Sequence, residues 1–307
     1  MQQSSQEISA PADKEGVQET IARLAREATI EINVQDEKYL AESREYLQPG
    51  TRVFVAHLPK QSWEDTVAVC RTVRDMGYDA TPHVPVRLLD SEATLDNVLA
   101  AFAREKIQRL LLISGDYPEA AGPYSTVSQV LRSGLLQKHG LKKVSVAGHP
   151  EGHPKVDLAE VRRSEREKAA LGGPDLEVTL VTQFFFEHEP FVEWVRELRA
   201  EGVRNDIYGG LAGPANLSTL FRFAMRCGAG PSIRALGARP TSLTKLIGER
   251  GPENVMRGLA EAHVAGTAEF TGVHFFCFGG FLRTCKWVHA VANGRFKLNA
   301  SGGFDVA

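Results

Sequence analysis

The chain has 307 residues, of which 43% are apolar and 24% charged, and its formal net charge is −2. It is long enough to bury a large core, and near-neutral charge without a basic run argues against nucleic acid as the main partner. No stretch approaches the ~18 consecutive apolar residues of a membrane span, so no membrane partner is expected. The polar start, residues 1–15, lacks the basic end and apolar centre of a signal peptide. We expect a disordered tail there, a single domain over 16–307, and a cytoplasmic protein.

Short β-rich runs alternate with amphipathic stretches of helical length along the rest of the chain. The pattern predicts eight strands, at Thr29–Val34, Arg52–His57, Ala80–His83, Arg109–Ile113, Lys143–Ala147, Glu177–Phe185, Asp206–Gly209 and Gly272–Phe276. Glycines that can end helices recur at Gly77, Gly140, Gly202 and Gly228. Helices at Thr241–Glu249 and Glu253–Ala265 are expected before the last strand. Eight such units over about 250 residues favour an α/β fold, the (β/α)8 TIM barrel.

A doubly wound sheet is the competing architecture. Such a sheet would carry a glycine-rich dinucleotide turn after an early strand, and no GxGxxG follows Val34 or His57. The barrel is therefore favoured. In a barrel, functional side chains are expected at the C-terminal ends of the strands.

The cysteines and paired histidines do not predict a metal site. Cys70, Cys227, Cys277 and Cys285 form no CxxC pair and lie in apolar segments, which favours buried thiols over disulfides or metal ligands. His149 and His153 are four residues apart, but the proline between them prevents a shared helical face.

Three strand ends carry residues suited to chemistry. Glu31 lies between two isoleucines, so alternation sends it to the opposite face; there it is either an ordinary surface glutamate or an interior carboxylate whose pKa burial raises toward that of a general acid. Ser114–Gly115–Asp116 either allows close backbone approach to a ligand or forms a tight turn that caps a helix. Gln183 precedes three aromatics, and its amide can bond a planar heterocycle between apolar walls.

These clusters, with the turn His149–Pro150–Glu151–Gly152–His153–Pro154, resemble the catalytic domain of methylenetetrahydrofolate reductases. The resemblance extends over roughly residues 28 to 285, in the family's order. It implies a short form without a regulatory domain. It also implies reduction of 5,10-methylenetetrahydrofolate to 5-methyltetrahydrofolate, in which NADH or NADPH reduces FAD and leaves before folate binds.

The resemblance also implies a role for each matched position. The expected catalytic residues are Glu31, Asp116 and Gln183: Glu31 donates the proton that opens the folate ring, Asp116 lies near flavin and pterin and tunes the flavin, and Gln183 binds the pterin. The expected flavin contacts are His83, Ser114, Gly115, Asp116, His149, His153 and Lys168, the last at the FAD phosphates. Phe185 and Arg283 are expected to join Gln183 in binding folate.

Several positions depart from the family pattern. Ser114 replaces the arginine of Arg-Gly-Asp, His149 replaces a tyrosine, and the segment before Arg283 lacks Leu-Asn-Arg. Two alternatives therefore stay open: a reductase that passes hydride directly from nicotinamide to folate, and a non-catalytic protein that binds or transfers folate. Assembly into a homo-oligomer is also left open.

Overall fold

A computed structural model describes residues 14–115, 117–227 and 249–307. Eight parallel strands of this part close into a barrel in chain order, with the last strand paired to the first. They are β1 Thr29–Ile32, β2 Arg52–Val55, β3 Asp79–Pro85, β4 Arg109–Ile113, β5 Lys143–Gly148, β6 Glu177–Phe185, β7 Ile207–Ala212 and β8 Gly272–Phe276. The predicted (β/α)8 barrel is confirmed, since each predicted strand overlaps one of these.

Helices cover the outside of the barrel in the described part of the chain. They are α1 Lys14–Arg26, α2 Leu40–Ser43, α3 Trp63–Asp75, α4 Glu92–Arg104, α5 Val127–Arg132, α6 Leu135–Lys138, α7 Leu158–Ala170, α8 Glu189–Ala200, α9 Leu217–Cys227, α10 Glu253–Val264 and α11 Phe281–Ala292. Local signals set their ends: Ser62 caps α3 by accepting the Asp65 N–H, and Gly77 follows that helix at φ +89°.

Several sequence-based expectations fall wholly or partly outside the described residues, among them Asp116 and the helix-ending Gly228. The predicted helix Thr241–Glu249 lies outside them except for Glu249, which pairs in the two-residue antiparallel strands Ala215–Asn216 and Glu249–Arg250. Residues 1–13 of the predicted tail also lie outside, and α1 already begins at Lys14. A hairpin of β9 Phe296–Leu298 and β10 Phe304–Val306 follows the last helix.

Strand alternation separates two layers of buried side chains. Val53 and Val55 of β2 join the large apolar core between sheet and helices. Phe54, between them, packs inside the barrel with Leu111 and Val181. A strand that alternates in this way therefore presents every second residue to the barrel interior.

A β-bulge interrupts this alternation in β6. Val181 pairs with Tyr208 of β7, but Phe184 pairs with Gly210. Between these two pairs β6 advances three residues while β7 advances two, so β6 contains one extra residue. The side-chain Oγ1 of Thr182 accepts the Gly210 N–H at 2.8 Å and holds the bulge. Beyond it, the side chains of β6 point to the faces opposite to those expected from simple alternation.

The cysteines with described side chains are not joined in disulfides. Cys70 and Cys285 are buried, Cys277 is half-buried, and all three are free thiols. No group of three or more His, Cys, Asp or Glu residues among the described ones is placed to hold a metal ion. Within the same residues, no helix has the length and apolar character to cross a membrane.

Candidate functional site

Glu31 lies on the inner face of β1 beside two imidazoles. Its Oε2 is 3.5 Å from Nε2 of His83 on β3 and 3.8 Å from Nε2 of His274 on β8. The histidine side chains are 8% and 1% exposed, whereas that of Glu31 is 20% exposed. Glu31 is therefore the member of this cluster that a ligand in the barrel mouth can reach most readily.

His274 is oriented by its neighbour across the closure of the barrel. Thr29 pairs with His274 in register, and its Oγ1 lies 2.8 Å from the ring Nδ1. Phe54 contacts both rings edge-on, at centroid distances of 6.1 Å from His83 and 4.6 Å from His274. The second ring nitrogen of His274 is thereby turned toward Glu31.

The electrostatics of the cluster correct one sequence-based expectation. Burial raises the pKa of Glu31, but a hydrogen bond with His274 and the charges of His83 and His274 lower it, and the net direction is below the ordinary value. The expected rise is therefore wrong for the free protein, because it considered burial without the imidazoles. Burial lowers the pKa of His83, as does His274, against the opposing effect of Glu31. The lowered pKa of Glu31 thus reflects the two imidazoles that face its carboxylate.

The loop after β4 is shaped by a glycine and an arginine. Gly115 has φ +84°, and a Cβ added there would lie 2.9 Å from the Tyr117 ring, so a larger residue is disfavoured. Arg87 donates from Nη1 to the Tyr117 carbonyl at 2.7 Å and from Nε to the Ser125 carbonyl at 3.1 Å. Sequence analysis did not predict these Arg87 contacts with the loop. Asp116, which it did predict as a site residue, lies outside the described residues.

The turn after β5 brings its two histidines together. The rings of His149 and His153 meet edge to face at 5.6 Å, and both are half-buried. His153 Nδ1 accepts the Lys155 N–H at 3.2 Å.

Lys168 does not extend into the mouth as a phosphate-binding cation would. Its Nζ donates to the Ala147 carbonyl at 2.8 Å, and the side chain is buried. Burial lowers its pKa, against the opposing charges of Glu165 and Glu167. This environment is that of an anchor between helix and strand and gives no support to the predicted FAD phosphate contact.

The bulge in β6 separates residues that sequence analysis placed together. Gln183 is half-buried, and its Oε1 accepts the Phe184 N–H at 3.1 Å. Phe185 stacks on Phe191 of α8 at 5.0 Å, in the core between sheet and helices. The expected folate contact of Phe185 is wrong, because the bulge turns its side chain away from the barrel interior.

Phe184 instead joins an aromatic cluster that sequence analysis did not foresee. Its ring lies 4.8 Å from Phe278 and 5.6 Å from both Phe186 and Phe276, and Phe223 stacks on Phe278 at 4.1 Å. All members except Phe184 are partly exposed. They provide an apolar wall beside the ends of β6 and β8.

The parallel strands place most of the predicted residues at one end of the barrel. Glu31 and His83 are in direct contact, and Ser114, Gly115, His149, His153 and Gln183 lie at or just beyond strand C-termini. Arg283 is exposed in the first turn of α11. His274 was missed as a site residue, although its alternation with the apolar Val273 and Phe275 on the last strand could have indicated an inward position.

A sequence model of methylenetetrahydrofolate reductase matches residues 2–231. The chain belongs to the methylenetetrahydrofolate reductase family. The matched range of this family member contains Glu31, His83 and Gln183, and His274 lies beyond it.

Individual relatives are similar at low identity. The chain is 26% identical over 160 residues to 5,10-methylenetetrahydrofolate reductase of Pectobacterium carotovorum subsp. carotovorum, and 26% over 164 residues to that of Escherichia coli (strain K12); each match covers 52% of both proteins. Methylenetetrahydrofolate reductase (NADH) 1 of Arabidopsis thaliana is 28% identical over 149 residues, which cover 43% of this chain and 25% of that protein. The chain thus matches about half the length of its bacterial relatives.

Proposed function

We propose that this family member reduces 5,10-methylenetetrahydrofolate to 5-methyltetrahydrofolate. NADH or NADPH is the reductant, FAD would be the bound cofactor, and one proton is taken up. The observation that carries the proposal is the contact of Glu31 with His83 and His274 at the open end of the barrel. A carboxylate in reach of substrate and backed by buried imidazoles is suited to proton transfer.

Glu31 is the proposed proton donor to folate N10. Protonation lets the bond from N10 to the methylene carbon break, which leaves an iminium at N5 that accepts hydride and becomes the methyl group. The Nε2 atoms of His83 and His274 lie 3.5 Å and 3.8 Å from the Glu31 carboxylate, so these imidazoles are placed to return a proton to it. Thr29 would keep His274 in the orientation that this transfer requires.

Part of the site fits the flavin. Nε2 of His83 is buried, lies 3.5 Å from Glu31 Oε2 and makes no hydrogen bond among the described residues, so it retains hydrogen-bonding capacity for a ligand. His83, Ser114, Gly115, His149 and His153 would hold FAD, which when bound supplies hydride transfer between nicotinamide and folate. Gln183 would bind the pterin beside the wall formed by Phe184 and its neighbours.

A reductase without flavin is the second candidate. Two observations favour it: Lys168 is occupied by the Ala147 carbonyl, and Ser114 stands where the resemblance would place an arginine. In this variant, hydride passes from nicotinamide to the folate carbon directly, and the proton again comes from the Glu31 cluster.

Two measurements test the proposal. The purified protein, incubated with FAD and dialysed, should retain visible absorbance of oxidised flavin, and it should oxidise NADH or NADPH when methylenetetrahydrofolate is present. A colourless protein that retains this oxidation selects the second candidate. A protein that binds folate but oxidises neither nucleotide would contradict both.

A further inference from the structure

The inward face of α7 carries charged residues in a place where helices normally present apolar ones. Arg162, Glu165 and Lys168 follow one another at intervals of three residues and so share a helix face. The Glu165 side chain is 1% exposed, and Lys168 is also buried. Burying charged groups is costly unless they are paired and hydrogen-bonded, so these three side chains require a specific set of partners.

Their partners are backbone groups at the end of β5 and the start of the following turn. The Glu165 Oε1 accepts the His149 N–H at 2.6 Å. Arg162 donates to the His149 carbonyl at 2.9 Å and to the Pro150 carbonyl at 2.8 Å, and Lys168 donates to the Ala147 carbonyl. Three side chains of one helix thus hold four backbone groups of residues 147–150.

The carboxylate of Glu165 connects the turn to Arg162 and to Trp194 of α8. Its Oε2 accepts from Arg162 Nη1 at 3.1 Å and from Trp194 Nε1 at 3.0 Å. Trp194 also packs so closely on Gly148 that an added Cβ there would lie 2.8 Å from its ring. Glu165 and Arg162 therefore hydrogen-bond the backbone at the end of β5, and Trp194 packs against Gly148 of the same segment.

We infer that Arg162 and Glu165 are positioning residues, which fix the turn 148–152 so that His149 and His153 face the barrel mouth. The inference rests on the proposed function for the ligand concerned, the flavin. The geometry favours this role over general stabilisation because the side chains bond to the turn that carries the histidines. The Nδ1 of His149 lies 3.8 Å from Glu165, so the same carboxylate faces the ring as well as its backbone.

The experiment compares Glu165→Gln with Glu167→Gln on the same helix. Glu167 is a partly exposed carboxylate paired with Arg132, so its replacement is a matched control. A buried glutamine at 165 has one acceptor oxygen and cannot satisfy His149, Arg162 and Trp194 together. Arg162→Lys is a milder second variant, since it keeps the charge but cannot donate to both carbonyls in the same planar geometry. Arg166→Lys, at an exposed ion pair, is its control.

Two readouts are taken, hydrogen exchange of residues 147–153 and titration with FAD followed by flavin fluorescence. We expect Glu165→Gln to speed exchange of the His149 and Gly152 amides at least tenfold and to weaken FAD binding at least fivefold. Arg162→Lys should show smaller changes in the same direction, and neither control should differ from wild type by more than twofold.

The outcomes separate this inference from the proposed function. Unchanged exchange in Glu165→Gln, or an equal rise in Glu167→Gln, shows that Glu165 does not fix the turn 148–152, whether or not the protein is a reductase. Faster exchange with unchanged FAD affinity overturns the positioning role. A wild-type protein that binds no FAD overturns that role together with the cofactor assignment, and the exchange result then shows separately whether Glu165 fixes the turn.

Discussion

The hydroxyl of Thr182 accepts the backbone N–H of Gly210 at 2.8 Å and fixes the bulge between β6 and β7. This contact decides which of two adjacent phenylalanines faces the site. Phe184 joins the aromatic wall beside the strand ends, and Phe185 packs into the outer core against α8. The apolar side of the candidate folate site is therefore set by the backbone pairing of β6 with β7.

The bulge should not tolerate a side chain at Gly210. A Cβ there would fall on the Thr182 carbonyl oxygen and lie within 2.9 Å of the Gln183 carbonyl group, both of which are backbone. We expect Gly210→Ala to lower the free energy of unfolding by about 1–3 kcal/mol, the usual cost of overpacking. Urea denaturation measures this. Gly173→Ala is the control, because an added Cβ meets nothing within 4 Å there, and equal stability losses in both variants would contradict the assignment.

Replacement of Glu31 should remove the proton donor and leave the shape of the site. General acid catalysis typically contributes about 10²- to 10⁴-fold, so Glu31→Gln should slow folate reduction by a factor in that range. Reduction of flavin by NADH involves no folate protonation and should be largely unchanged. Stopped-flow measurement of the two half-reactions, with the exposed Glu27→Gln as control, tests this. Folate reduction at the wild-type rate would show that the proton comes from another group.

The hydroxyl of Thr29 should matter for both stability and proton transfer. Thr29→Val keeps the shape but leaves the buried Nδ1 of His274 without its 2.8 Å partner. An unsatisfied buried polar group costs about 1–3 kcal/mol, which should appear as a loss in the free energy of unfolding. Thr29→Ser should restore both stability and the pH profile of folate reduction. If Thr29→Val retains the wild-type pH profile, His274 does not depend on this contact for its role.

Unfolding should become easier as the pH falls below about 6.5, in part through His57. Burial lowers its pKa to about 4, with a further lowering by His83 and an opposing effect of Asp65. As the pH falls below 6.5, the histidine binds a proton in the unfolded protein but stays neutral in the folded one. The part of the free energy of unfolding that this histidine contributes above pH 6.5 is therefore lost between pH 6.5 and about 4. The loss should approach roughly 3 kcal/mol. Urea unfolding from pH 7 to 4.5 should show a shallower pH dependence in His57→Asn, and identical slopes would refute the assignment.

Replacement of Gln183 should weaken folate binding, whereas replacement of Phe185 should lower stability. Gln183→Ala removes neutral hydrogen bonds to the pterin, each contributing about 0.5–1.5 kcal/mol, so the KM for folate should rise by roughly 2- to 10-fold. Phe185→Leu removes part of a buried ring stacked on Phe191 and should lower the melting temperature while the KM stays near wild type. Steady-state kinetics and thermal unfolding of both variants test this. A raised KM in Phe185→Leu but not in Gln183→Ala would contradict the assignment of Gln183 to folate binding and of Phe185 to the core.

By itself the sequence determined the order and type of the elements, because periods of 2 and 3.6 residues and the helix caps are local properties. It also determined that Glu31 faces away from its two neighbouring isoleucines. The tertiary structure decided what Glu31 meets there: His274 approaches through the pairing of Thr29 with a residue 245 positions later. The same holds for Lys168, whose ammonium binds a carbonyl, and for Phe185, which the bulge turns outward. These placements depend on strand register and on polar contacts between distant segments, which no local pattern in the chain encodes.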